Sequence, residues 1–159
     1  MKYILGIDVG GTTTKVVGFD NDQMIGSAKV QANDPLASLY GAFGKFTAEY
    51  NIPLAEIERI MITGVGSSFV KEKIFGIPTG CAAEFASTGL GGLYLSGLKK
   101  AIVCSIGTGT AFVKATCTEA LHMGGTGVGG GTLLGLAGQL MNIHSFENII
   151  EMASEGDIS

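Results

Sequence analysis

Residues 6–15, GIDVGGTTTK, bring a carboxylate, paired glycines, consecutive threonines and a lysine into one short segment. Glycines let backbone bend so that amide N–H groups face an anion, and the hydroxyls of Thr12 and Thr13 add donors. Gly10 and Gly11 would form such a bend, and Lys15 on the returning strand adds a positive charge. These residues read as a phosphate-binding set, or as a hairpin that simply needs glycine and a capping Asp. Asp8 ends the preceding strand beside the bend, where a carboxylate repels phosphate unless a hydrated magnesium ion stands between them. Asp8 is therefore read as the metal residue.

A second bend of the same kind, SIGTGT at 105–110, offers Gly107, Thr108 and Gly109 with further amides and hydroxyls. Two such hairpins facing one another are expected to grip a triphosphate from both sides. The glycines at 129–131 precede a predicted helix, where the free N–H groups of a helix start could meet phosphate or adenosine through Gly130, Gly131 and Thr132. They match neither a dinucleotide-binding glycine pattern nor a P-loop. Glu84 opens another predicted helix. A carboxylate there can orient a primary alcohol and accept its proton, or it can simply complement the helix dipole, and the residues alone leave both open. Phe146 is spaced with Ile149 and Ile150 as a core residue of the last helix. His144 has no partner motif and is read as a surface or capping residue.

The elements that must hold these groups follow from periodicity. Residues 2–9, 13–20 and 24–31 read as an antiparallel three-stranded meander. Asp34-Pro35 opens a helix as N-cap and first helical residue, with Leu36, Leu39, Tyr40, Phe43 and Phe46 on one face and an end near Asn51. Residues 58–63 form a buried strand leading into Gly64-Val65-Gly66, and 66–75 a short helix. A helix from Glu84 to Lys100 carries Phe85, Leu90, Leu93, Tyr94 and Leu98 at helical spacing, and its glycines suggest close packing. Strands at 101–106 and 110–117 repeat the N-terminal strand–bend–strand in outline. A glycine loop at 124–131, a helix at 132–140 and a final helix after Ser145 with Phe146, Ile149, Ile150 and Met152 inward complete the chain.

Composition narrows the function. The 159 residues are 46% hydrophobic, enough for a buried core. Net charge is −4, and the basic residues form no run beyond Lys99-Lys100, which argues against nucleic acid as partner. No apolar run approaches the ~20 residues that cross a bilayer, so no membrane partner and a cytoplasmic location are expected. Cys81, Cys104 and Cys117 fit neither a disulfide framework nor a zinc site and are read as reduced core thiols.

The segments GIDVGGTTTK, TGVGSS, AAEFASTGLGGLYL, SIGTGT, MGGTGVGGGTLLGL and ENIIEMASEGD together resemble type II pantothenate kinases, of the acetate and sugar kinase, heat-shock-70 and actin superfamily. That resemblance implies an α/β, ribonuclease H-like actin/sugar-kinase ATPase fold, its first lobe complete over 1–100 and its second only begun over 101–159. It implies ATP and Mg2+ as cofactors, pantothenate or an analogue as small-molecule substrate, and a homodimer. It makes Glu84 the general base on the pantothenate hydroxyl. It carries ATP contacts to Gly10, Gly11, Thr12 and Lys15, to Thr108, and to Gly130, Gly131 and Thr132, with Phe146 near the adenine. His122, Gly125 and Gly127 fall in the substrate-binding stretch. His122 stands where the family has an arginine, and imidazole cannot supply that bidentate fork, so the acceptor is more open than the nucleotide. Sugar kinases, the iron–sulfur ATPase activators of radical dehydratases and non-enzymatic actin-like switches are the alternatives.

Overall fold

The computed structural model describes residues 2–32 and 34–157. They group into two units, Met1–Ser87 and Thr88–Ser159.

In the first unit, strands β1 (Tyr3–Val9), β2 (Thr13–Asp20) and β3 (Gln23–Gln31) form the expected antiparallel meander. Helix α1 (Pro35–Glu49) follows, and the chain returns as β4 (Ile57–Thr63), parallel to β1. A strand of only three residues, β5 (Thr79–Cys81), pairs in parallel with β4 and completes a sheet ordered β3-β2-β1-β4-β5. Side chains alternate across a strand, so Leu5, Ile7 and Val9 of β1 and Ile60 and Ile62 of β4 share one face. That face is buried against Leu39, Ala42, Phe43 and Phe46 of α1. Asp34 caps the helix as expected, its carboxylate accepting from Ala37 N at 2.7 Å. Leu36 and Tyr40 instead lie at the rim of this face, 42% and 43% exposed.

The helix expected over 66–75 is absent; the chain there makes two short 3-10 turns, Val65–Phe69 and Ile74–Gly76. Left-handed backbone at Gly64 (φ 87°), Phe75 (φ 50°) and Gly76 (φ 77°) stops any longer helix from propagating.

The second unit holds an antiparallel sheet of β6 (Lys100–Ile106), β7 (Thr110–Thr116) and β8 (Ala120–Thr126), in that order. Helix α2 (Glu84–Ser96) begins in the first unit and continues into the second, ending four residues earlier than expected, just before Gly97 with φ 70°. Its glycines do permit close packing: a Cβ on Gly92 would stand 2.6 Å from Val103, and one on Gly89 about 3.0 Å from Ala115 and Ala120. Helices α3 (Gly130–Met141) and α4 (Phe146–Ser154) follow.

Three expectations are corrected here. The loop expected from residue 124 is strand up to Thr126, because Gly125 pairs with Ala111 so tightly that any Cβ would strike the carbonyl of Thr110. In α4, Ile149 is buried but Phe146, Ile150 and Met152 are 42–52% exposed, so one position faces inward where four were expected. Cys81, Cys104 and Cys117 are free but exposed, not core thiols, since Cys81 closes a short edge strand and Cys104 lies on an uncovered sheet face. Among the described residues no helix is long and apolar enough to cross a membrane.

Candidate functional site

The first bend is closed by Gly10 N donating to Thr13 O at 3.1 Å. A Cβ on Gly10 would lie 2.6 Å from that same oxygen, so only glycine fits, whereas a Cβ on Gly11 would meet nothing. Ala32 N donates to Thr12 O at 3.0 Å and ties the bend to the end of β3. Beneath it, the buried Thr14 hydroxyl and Ser38 of α1 share a hydrogen bond of 2.9 Å. The bend is thus fixed from below while Gly11 faces open space. Asp8 and Lys15 are cross-strand partners, and Lys15 Nζ donates to Asp8 Oδ2 at 3.0 Å. Both side chains are partly exposed, so this ion pair stabilises the fold by no more than about 1 kcal/mol and can be rearranged by an arriving anion.

The carboxyl ends of the parallel strands β1, β4 and β5 share one edge, the usual place for ligands on such sheets. Asp8 and the first bend leave it from β1. Thr63 pairs with Asp8 across β1 and β4, and Gly64 then turns back over the strand end. A Cβ on Gly64 would lie 2.5 Å from Asp8 Oδ1 and 2.6 Å from Val9 O. The turn therefore closes against the Asp8 carboxylate because residue 64 has no side chain. Between this turn and the bend lies a pocket of about 190 Å³ lined by Gly10, Gly11, Ala32, Pro35, Val65, Gly66 and Phe69. Sequence reasoning gave this wall no role; Gly64-Val65-Gly66 was its signal. From β5 the ladder runs on through Ala82 N to Ile62 O at 2.8 Å, and two residues later Glu84 begins α2 with its carboxylate exposed. Two strand spacings, roughly 10 Å, separate the lines of β1 and β5.

In the second unit, Gly107 N donates to Gly109 O at 2.8 Å to close the second bend. The start of α3 is bound to it: Gly130 N donates to Gly107 O at 2.8 Å and Gly131 N to Thr108 O at 3.0 Å. The Thr132 hydroxyl donates to Gly127 O at 3.0 Å, and Thr110 Oγ1 to Val128 O at 2.8 Å. The amides of Gly130 and Gly131, expected to be free for phosphate or adenosine, are spent on holding the bend. Glycine at 129 and 131 is needed for that approach, since a Cβ would come within 2.7 Å and 2.6 Å of Thr108 atoms.

Among the described residues no three His, Cys, Asp or Glu side chains gather as a metal-binding group. Magnesium suits this sparse arrangement, because it keeps several waters and takes one or two carboxylates plus substrate phosphates. Asp8, with the buried and unpartnered Thr63 hydroxyl beside it in register, is the place in the first unit that fits such an ion.

A family model described as Fumble matches residues 100–159. A type II pantothenate kinase of Bacillus cereus (strain G9842) is 29% identical over 98% of this chain and 56% of its own length. A type II pantothenate kinase of Staphylococcus aureus (strain USA300) is 30% identical over 96% of this chain and 55% of its own length. The chain spans about half the length of these pantothenate kinases. Component A of the Acidaminococcus fermentans (R)-2-hydroxyglutaryl-CoA dehydratase superposes with a TM-score of 0.76 at 16% identity, covering 99% of this chain and 60% of that one. The ROK hexokinase of Thermus thermophilus gives 0.52 at 16% identity, over 80% and 50% of the two chains. The fold is the actin/sugar-kinase ATPase fold.

Of the residues that the pantothenate kinase resemblance assigns to substrate, His122 lies exposed on β8 opposite Val113, Gly125 is packed against β7, and Gly127 is in the turn before α3. Phe146 is the first residue of α4, 42% exposed.

Proposed function

We propose that this chain uses ATP to phosphorylate the primary hydroxyl of pantothenate, the first step of coenzyme A biosynthesis. The observation that carries the reading is the shared edge of β1, β4 and β5, from which the glycine bend, Asp8 and Glu84 all emerge. In this reading Gly11, Thr12 and Thr13 present donors to phosphate, Gly10 shapes the bend through its own bond to Thr13 O, and Lys15 exchanges its partner Asp8 for phosphate oxygen. Magnesium, when bound, neutralises charge on the transferring phosphate. Asp8 is the residue that would hold it. The second bend, Gly107–Gly109, belongs to the second unit and is held rigid by the start of α3. Glu84, the first residue of α2, accepts the hydroxyl proton as the acceptor oxygen closes on phosphorus. The relatives named as pantothenate kinases support the acceptor. His122 in place of an arginine widens the choice to close analogues.

We further assign the activity to the cytoplasm and to a homodimer, the latter supported by the apolar face of β6 and β7. The test is ADP release with pantothenate as acceptor. E84Q is expected to lower turnover by at least roughly 100-fold while nucleotide binding is kept. Turnover retained in that variant defeats the assignment of the base.

A further inference from the structure

The Thr63 hydroxyl is a buried oxygen without a hydrogen-bond partner. Such a group costs free energy unless something satisfies it, so its place in the fold is informative. Thr63 is the last residue of β4, and its register partner on β1 is Asp8. Residues paired in register point to the same side of a sheet. Ile7 and Ile62 face α1, so Asp8 and Thr63 both face away from that core. The following Gly64, at φ 87°, brings the backbone against Asp8 Oδ1, while Asp8 Oδ2 is engaged by Lys15.

We propose that Thr63 is a positioning residue for the metal: its hydroxyl shares a water with the Asp8 carboxylate, and that water belongs to the hydration shell of the magnesium ion bound with nucleotide. Paired residues on neighbouring strands stand about 4.8 Å apart in their backbones and point to the same side, which brings two short polar side chains within reach of one bridging water. Magnesium gives up its waters reluctantly, so a site with one carboxylate must bind the ion largely by holding those waters. A hydroxyl suits the task because it can donate to the carboxylate side or accept from a metal-bound water. The fold shields it from bulk solvent, and no other group among the described residues competes for it.

The inference rests on the nucleotide part of the proposed function and not on the identity of the acceptor. The test is a magnesium titration of the melting-temperature rise that ATP gives, on the chain as it stands. T63V keeps the branched shape and removes the hydroxyl; it should raise the magnesium needed for the half-maximal rise about tenfold, the usual scale for losing a partner outside the ligand sphere. T63S should stay within about twofold of the unsubstituted chain. If T63V does not fold, T63S against T63A, which differ by the hydroxyl alone, reads the same quantity. An idle buried hydroxyl predicts the opposite, a T63V chain as stable or more stable with an unchanged magnesium titration, and that result overturns the proposal. If Thr63-dependent binding is seen but pantothenate is not phosphorylated, the acceptor assignment fails and this inference stands. No magnesium- and ATP-dependent rise in the unsubstituted chain overturns both.

Discussion

Gly64 and Gly11 flank the same strand edge and make opposite demands on the residue. Gly64 combines φ 87° with a Cβ position 2.5 Å from Asp8 Oδ1 and 2.6 Å from Val9 O. G64A must strain the backbone and push the turn off β1, which should cost about 1–3 kcal/mol in thermal or urea unfolding. G11A, whose Cβ meets nothing, should unfold at the unsubstituted midpoint within about 0.5 kcal/mol. Equal losses from the two would contradict the close approach at Gly64. The Asp8–Lys15 pair belongs to this scale too. Its weak contribution to the fold means that its two charges are available to ligands.

At the scale of elements, α1 is the clamp under the first bend. Phe46 is fully buried, its ring occupying the space that the missing side chain of Gly18 leaves over β2, and its centroid lies 4.6 Å from that of the Tyr50 ring, the two planes tilted by 36°. F46A should destabilise by about 3–5 kcal/mol, close to the whole stability of a unit this size, and denaturant titration would read it. D34A removes only the cap on Ala37 N and should cost about 1 kcal/mol in the same titration. Helix α3 is a clamp of the other kind. Its first amides close on the second bend, so the helix start shapes that bend without presenting those two N–H groups itself.

For the molecule as a whole, the second sheet has one face on α2 and one face open. Ile102 and Ile106 on that open face are 62% and 72% exposed, with Phe112 and Leu121 beside them across the strands. An apolar face of this kind favours association. The chain should therefore run heavier than a monomer in light scattering at micromolar concentration. I106K should shift it toward monomer, because residue 106 lies on that face and buries little within the chain itself. A monomeric unsubstituted chain would refute the role given to this face.

Local rules made much of this protein readable in advance. The 2-residue alternation in 3–9 and 13–20, the Asp34-Pro35 helix start and the two glycine–threonine bends depend on neighbours a few positions away, so the sequence alone specified them. Glycine crowding in α2 likewise announced a close approach, though not that Val103 and Ala115 would be the surfaces approached. What tertiary structure decided was every feature set by distant partners. The strand β5 is too short to show a period and exists because β4 offers it an edge. Residues 124–126 are strand because β7 pairs with them, against the propensity of glycine. The Gly130 and Gly131 amides were spent by a bend more than twenty positions earlier, and Thr63 met Asp8 only through the parallel register of β4 on β1. Hydrogen-bond partners and burial are properties of the folded arrangement, and periodicity along the chain carries no record of which strand lies alongside.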